Sequence, residues 1–105
     1  RRTVTLFYLE RLPADARVAD FLRYWAESLE DCGLRGDRIT LRLSRAEIGG
    51  YLGMTLESVS RGLSRLARER IICFESKGRN ELRIPDAAAL SNFVQRSLAS
   101  RPTLQ

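Results

Sequence analysis

A carboxylate and a guanidinium four residues apart have the clearest chemical potential in this sequence. Glu57 and Arg61 lie in the segment LESVSRGL, and residues at this spacing project side by side from one face of a helix. Arginine can present two parallel donors to guanine, and glutamate can accept a hydrogen bond from the amino group of cytosine. The pair could instead be a surface ion pair, because the helix dipole favours glutamate in a first turn. Both interpretations require a helix with Glu57 and Arg61 on its outside.

Two short helices separated by a tight turn are predicted around this pair. Ser44 with Glu47 matches a capping box, which starts a first helix that reaches about Leu52. Thr55 caps a second helix that reaches about Arg70. The apolar face of the second helix consists of Val59, Leu63 and Leu66. This layout is typical of a helix-turn-helix, a device that places its second helix in the major groove of DNA.

The side chains that could contact DNA divide into two groups by the chemistry they offer. The candidates for reading base edges lie on the exposed side of the second helix and are Glu57, Ser60 and Arg61, with Leu56 and Ser64 also predicted to be exposed. The candidates for phosphate contacts are hydroxyls at helix N-termini and basic side chains, namely Ser44, Arg45, Thr55, Ser58, Arg65, Lys77 and Arg79. Ser44 and Thr55 could serve only as caps, and Arg65 could be a solvated side chain.

The remaining elements are predicted from periodicity and from turn residues. Residues 3–12 are largely apolar, and residues 1–12 read as the end of a helix that packs on another part of the protein. An amphipathic helix is expected from Ala14 to Asp31, closed by Cys32-Gly33. Its apolar stripe of Val18, Phe21, Leu22, Trp25 and Leu29 is expected to be core rather than an aromatic binding platform.

Short alternating segments predict a small β-structure at the other end of the motif. Residues 39–43 read as a half-buried strand, and residues 72–75 and 82–84 read as a hairpin around a polar turn. A last helix is expected from Pro85-Asp86 to Leu98, followed by a frayed tail over residues 99–105. A hairpin after a helix-turn-helix is the wing of a winged helix, so residues 13–98 are expected to form an α+β, mostly helical, winged helix-turn-helix domain with a small antiparallel β wing.

Composition and charge fit a nucleic-acid partner and exclude several other classes. The 105 residues carry a net charge of +5, and residues 44–84 alone hold eight basic and five acidic groups, a net charge of +3. The longest apolar run has four residues, so no membrane span is expected. The chain starts at Arg1, and we expect it to be part of a longer cytoplasmic protein.

The cysteines and glycines predict neither a metal site nor a catalytic loop. Two cysteines without a histidine cannot supply a four-ligand zinc site. Cys73 is expected to be a buried small hydrophobe, and Cys32 to be exposed. Gly49 and Gly53 are expected to let a second helix cross closely, and Gly49-Gly50 reads as a packing feature rather than a phosphate loop. With no nucleophile elbow or paired carboxylates either, catalysis is rejected.

The segment LSRAEIGGYLGMTLESVSRGLSRL resembles the signature of the Crp/Fnr family of bacterial transcription regulators. The resemblance covers residues 9–98 and includes an acid-isoleucine-glycine triplet, a leucine-glycine turn and an E-x-x-S-R triplet. Leu56 before the glutamate and Ser60 before the arginine are similar to the Fnr branch. The resemblance implies that Glu57 and Arg61 are the base-reading pair, and that the target is an inverted repeat of TTGAT-type half-sites.

The resemblance also implies partners, and the sequence departs from the family pattern at one position. Residues 1–12 would be the end of a dimerisation helix, the full-length protein would be a homodimer, and RNA polymerase would be a partner. No cofactor is expected in these 105 residues, and the effector of a sensor domain stays open. Gly62 stands where relatives usually carry a bulky aliphatic residue. Glycine there costs about 0.5–1 kcal/mol relative to alanine and is expected to leave core volume unfilled.

A second function class stays open at this point. The winged helix could be a protein-interaction module without base-specific DNA binding, with Leu56 and the apolar segment 3–12 as its docking surface. Replacement of Arg61 separates the two classes, because a docking module would tolerate the change.

Overall fold

A long amphipathic helix supplies one side of the core, and the rest of the domain packs against it. The computed structural model describes residues 13–75 and 80–99. Helix α1 spans Ala14–Asp31, as predicted, and buries Val18, Phe21 and Leu22, while Trp25 and Leu29 pack against the core edge. The stripe is therefore core and not a binding platform. The predicted end of a dimerisation helix at residues 1–12 lies outside the described residues, as does the predicted tail at residues 99–105 apart from Ala99, which is helical and not frayed.

Helices α2 and α3 form the predicted helix-turn-helix. Helix α2 spans Arg45–Leu52 and helix α3 spans Leu56–Arg68, with Glu69 at the C-cap of α3. The apolar residues of α3 (Val59, Leu63 and Leu66) are almost completely buried. Helix α3 packs on both α1 and α2, and the final helix α4, Ala87–Ala99, packs on α1. These contacts hold one face of α3 in the core and leave the opposite face to solvent.

The capping box at the start of α2 is present in both directions. The backbone N–H of Glu47 donates to Ser44 Oγ at 3.1 Å, and the backbone N–H of Ser44 donates to Glu47 Oε1 at 2.8 Å. These two bonds satisfy donors that the first turn of a helix otherwise leaves unpaired. Ser44 thus determines where the first helix of the motif begins.

Ser44→Ala is expected to lower the free energy of unfolding by about 1 kcal/mol, because it removes the acceptor for the Glu47 N–H. Urea unfolding followed by circular dichroism measures the change. Ser28→Ala, inside α1, is the matched control and should leave stability unchanged or slightly higher, because alanine has the better helix propensity. Equal effects of the two variants would show that the cap contributes nothing.

The sheet is antiparallel and has three short strands in the order β1-β3-β2. Strand β1 is Arg38–Thr40, β2 is Cys73–Phe74 and β3 is Glu81–Arg83. Leu82 lies opposite both Ile39 and Phe74, so the central position of the ladder faces the core. The hairpin is confirmed, and the first strand joins it through β3. The ladder ends earlier than the predicted residue 43, because β3 offers only three pairing residues.

Two glycines of the motif have different structural roles, and a third has none that the packing shows. A Cβ on Gly49 would lie 2.6 Å from the carbonyl oxygen of Met54, so this position admits the turn backbone rather than a crossing helix. Gly53 is the left-handed C-cap of α2 at φ 72°, a conformation that favours glycine. Gly50 is exposed with open space around it, so the prediction that it packs is wrong.

Gly62 is the point at which α1 crosses α3. A Cβ at this position would lie 3.0 Å from Val18 Cγ2 and 3.3 Å from Asp15 Cα. Gly62 is buried, and the volume beside it is filled by the first turns of α1. The prediction of unfilled core volume is therefore wrong, because α1 approaches closely enough to take the place of a side chain.

The two cysteines have free thiols but differ in burial. Cys32, at the C-cap of α1, is exposed as predicted. Cys73, in β2, is only half-buried rather than buried, because it pairs with Arg83 on the face of the sheet opposite to Leu82. Within the described ranges, no helix is both long and apolar enough to cross a bilayer.

Candidate nucleic-acid interface

The solvent-facing side of helix α3 presents the carboxylate and guanidinium that the sequence singled out. Glu57 and Arg61 are both exposed, and their spacing places them about 40° apart around the helix axis. Within residues 13–75 and 80–99, the Glu57 carboxylate forms no ion pair, with Arg61 or with any other residue. The alternative of a surface ion pair is therefore not what the structure shows. Both groups are available to an external partner.

Three polar side chains are linked by hydrogen bonds across the first turns of α3. The backbone N–H of Ser58 donates to Thr55 Oγ1 at 3.1 Å, which makes Thr55 the N-cap of the helix. The Thr55 hydroxyl donates to Ser58 Oγ at 3.0 Å, and Arg61 Nη2 donates to the same oxygen at 3.4 Å. Thr55 and Ser58 thus lie beside Arg61 at the end of the helix where the dipole favours an anion.

Three further side chains of α3 differ in their exposure to solvent. Leu56 is 46% exposed, so its apolar surface is open to a partner. Ser60 and Ser64 are half-buried, less accessible than predicted. Leu56 and Glu57 therefore form the most prominent part of the leading end of α3.

The predicted phosphate contacts at the start of α2 have structural roles of their own. Ser44 is exposed and accepts the capping hydrogen bond, which leaves its hydroxyl hydrogen free to donate elsewhere. Arg45 is half-buried and interacts with another group of the chain. Lys77 and Arg79, the wing candidates, lie outside the described residues.

Arg65 is exposed on α3 one turn after Arg61, and its guanidinium is held by two carboxylates. Its Nε donates to Glu69 Oε2 at 2.9 Å, and its Nη1 donates to Asp15 Oδ2 in the first turn of α1. The guanidinium carbon also lies 5.4 Å from the centre of the Phe93 ring. The hydrogen bonds to Glu69 and Asp15 raise the pKa of Arg65 above its ordinary value. Arg65 is thus bound to two carboxylates of the domain, whereas the hydrogen bond of Arg61 described above is to the Ser58 hydroxyl.

Sequence reasoning missed Arg17, which supports the corner of the helix-turn-helix. Its Nη1 donates to the backbone carbonyl of Leu52, the last residue of α2, at 3.1 Å. A cation at this end of a helix interacts favourably with the helix dipole. Arg17 also borders the same surface depression as Thr55 and Ser58. No local sequence signal marks it, because its partner lies 35 residues away along the chain.

Comparisons with known proteins agree with this geometry. Residues 16–93 match the Crp-like helix-turn-helix domain. The transcriptional regulatory protein btr of Bordetella pertussis is 37% identical over 81 residues, which cover 77% of this chain and 32% of that protein. The nitrogen fixation regulation protein FixK of Bradyrhizobium diazoefficiens is 42% identical over 64 residues, which cover 61% of this chain and 27% of that protein.

A solved structure gives the same result for the fold. The structure of FixK2 from Bradyrhizobium japonicum matches 80% of this chain and 39% of that chain, with a TM-score of 0.68 and 37% sequence identity. The chain spans less than a third of the length of the two curated relatives above. These relatives are named as regulators and not as enzymes, which agrees with the rejection of catalysis. The chain belongs to the Crp-like helix-turn-helix domains, the DNA-binding domains of the Crp/Fnr family of transcription regulators.

Proposed function

We propose that this domain reads TTGAT-type half-sites in double-stranded DNA, with α3 in the major groove, as part of a homodimeric cytoplasmic transcription regulator. The observation that carries the proposal is the solvent exposure of Glu57 and Arg61 on one face of α3, with the Glu57 carboxylate left unpaired by the described residues. A carboxylate turned toward a polyanion is unfavourable unless it meets a donor, and a cytosine amino group is such a donor.

The chemistry of α3 matches the composition of the half-site. TTGAT contains a single G·C pair, and α3 offers one arginine for guanine and one glutamate for cytosine. Leu56, with 46% of its surface exposed, would contact a thymine methyl group, of which the half-site has several. Ser60 is a further candidate for a base-edge contact, although it is half-buried. The polar and the apolar contacts to bases would thus all come from the first two turns of α3.

Phosphate contacts are proposed to come from the two helix N-termini of the motif. Thr55 and Ser58 lie beside Arg61, and Ser44 and Arg45 lie at the start of α2. Lys77 and Arg79 are proposed to contact phosphate from the wing. Contacts of this kind determine register and salt-dependent affinity, whereas the base contacts determine sequence preference.

The rest of the regulator supplies the other parts of the proposal. Two copies related by a dimerisation helix, whose end is proposed at residues 1–12, would place two α3 helices one DNA turn apart. RNA polymerase is proposed as a partner from the family alone. An effector is proposed to bind outside these 105 residues. The competing docking-module hypothesis has only Leu56 as a described exposed apolar contact at this end of α3, since segment 3–12 lies outside the described residues.

Fluorescence anisotropy with a duplex that carries an inverted TTGAT repeat tests the proposal. We expect the domain to bind this duplex more tightly than a scrambled duplex of the same composition, and to keep that preference as salt lowers both affinities. A duplex with the single guanine of each half-site replaced should bind nearly as weakly as the scrambled one. Equal affinity for all three duplexes at every salt concentration would exclude sequence-specific binding.

A further inference from the structure

The second half of α3 carries an ion cluster that joins three helices. Arg65 of α3 is bonded to Asp15 of α1 and to Glu69 at the end of α3, and its guanidinium lies over the ring of Phe93 in α4. Two carboxylates and one guanidinium give this Arg65 cluster, defined by Asp15, Arg65, Glu69 and Phe93, a net charge of −1. Nothing in the helix-turn-helix motif itself requires such a cluster.

The cluster lies on the side of α3 that the proposed function turns toward DNA. Arg65 follows Arg61 by four residues, so the two side chains leave the helix about 40° apart. The position of Arg65 on this side of α3 would allow its guanidinium to contact a phosphate, as the sequence predicts. The Arg65 guanidinium is already bound within the domain, however, because its Nε and Nη1 both donate to carboxylates.

The position of Asp15 against α3 makes its carboxylate a competitor of DNA phosphate for the Arg65 guanidinium. The backbone of Asp15 lies at the close crossing with Gly62, where a Cβ would be only 3.3 Å from Asp15 Cα. The Asp15 side chain is 21% exposed, whereas that of Arg65 is 47% exposed. A carboxylate in this position needs little further ordering to keep its partner, while a DNA phosphate must displace it.

We propose that Asp15, together with Glu69, retains Arg65 in this ion cluster when the domain is on DNA, and so withholds one positive charge from the phosphate backbone. The inference rests on the proposed function, because it requires α3 to face DNA. Asp15 is then a determinant of affinity that lowers the number of phosphates neutralised by the domain without touching a base. Its effect is independent of DNA sequence, because phosphate contacts carry no sequence information.

Asp15→Asn tests the proposal through the salt dependence of DNA binding. The change removes the charge that holds Arg65 and keeps the size of the side chain. We expect the plot of log affinity against log salt to become steeper by about 0.9, the slope for one additional phosphate contact. The variant should therefore lose about 3.5 times more affinity than the wild-type chain between about 50 and 200 mM salt, starting from tighter binding at low salt.

Two comparisons separate release of Arg65 from a general change in charge. Asp31→Asn makes the same charge change at the far end of α1, about 24 Å away along the helix, and should leave the slope as it is in the wild-type chain. In an Arg65→Gln background, Asp15→Asn should add nothing to the slope. A gain that persists in that background, or an equal gain from Asp31→Asn, would show that Arg65 is not the group released.

A second variant keeps the inference testable if Asp15→Asn does not fold. Glu69→Gln removes the other carboxylate from Arg65 and should also steepen the slope, and circular dichroism checks that each variant is folded. Unchanged slopes for both variants would overturn the inference. Measurements on TTGAT and scrambled duplexes distinguish failure of this inference from failure of the proposed function. Equal affinity of the wild-type chain for both duplexes refutes the proposed function. The change in salt slope caused by Asp15→Asn can still be measured on either duplex.

Discussion

Arg61→Ala is expected to weaken binding to a TTGAT duplex by about 1–3 kcal/mol and to abolish the preference for guanine in the half-site. Arg61 is exposed, and its hydrogen bond among the described residues is the 3.4 Å contact to Ser58 Oγ, so its loss leaves the core untouched. The effect should therefore appear in DNA affinity and not in the free energy of unfolding. Anisotropy titrations against duplexes substituted at the guanine position measure both the loss and the relaxed preference.

Arg68→Ala is the matched control for this prediction. Arg68 is exposed in the last turn of the same helix, so its removal makes the same change in net charge. It should lower affinity for TTGAT and scrambled duplexes by a similar factor, because a phosphate-directed charge acts on all sequences alike. Full retention of the guanine preference in Arg61→Ala would show that Arg61 does not read the base, whereas the absence of any guanine preference in the wild-type chain would favour the protein-interaction module.

Gly62→Leu is expected to lower the free energy of unfolding by about 1–3 kcal/mol or more, although leucine has a far better helix propensity than glycine. The first added atom would lie 3.0 Å from Val18 Cγ2 and 3.3 Å from the backbone of Asp15. The side chain can be admitted only if α1 moves away from α3, which opens the packing of the two helices. Urea unfolding of the variant and of the wild-type chain measures the loss.

Gly50→Ala isolates the propensity effect from the packing effect. Gly50 is inside α2 and a Cβ there meets nothing within 4 Å, so alanine should stabilise the domain by about 0.5–1 kcal/mol. Opposite signs for the two glycine variants are the expected pattern. If Gly62→Leu were stabilising as well, the close approach of α1 at this position would be wrong.

Much of the fold follows from short-range patterns in the sequence. The bounds of α1 and α2 agree with the approximate bounds predicted, because helix periodicity, the Ser44–Glu47 capping box and the turn glycines act over a few neighbouring residues. Helix α3 ended two residues before the predicted Arg70, and α4 spans Ala87–Ala99 rather than starting at Pro85, which are ordinary differences at helix ends. The pairing of β1 with β3 was not predicted, since it joins segments some forty residues apart.

The exposed pair that carries the proposed function could also be found without coordinates. Glu57 and Arg61 face outward because Val59, Leu63 and Leu66 on the same helix must be buried, so their orientation is a consequence of local periodicity. Burial of individual residues was less predictable: Cys73 is half-buried because its strand pairing places it opposite Arg83, on the face of the sheet away from Leu82.

The sequence by itself therefore determined the type, order and outward face of the helix-turn-helix, because each of these depends on residues within a few positions of one another. Only the tertiary structure decided how α1 meets α3. That crossing leaves no space at Gly62, places Asp15 against Arg65 from 50 residues away, and brings Arg17 to the end of α2. These contacts follow from the angle and distance at which two helices pack, and no local pattern encodes such a relation.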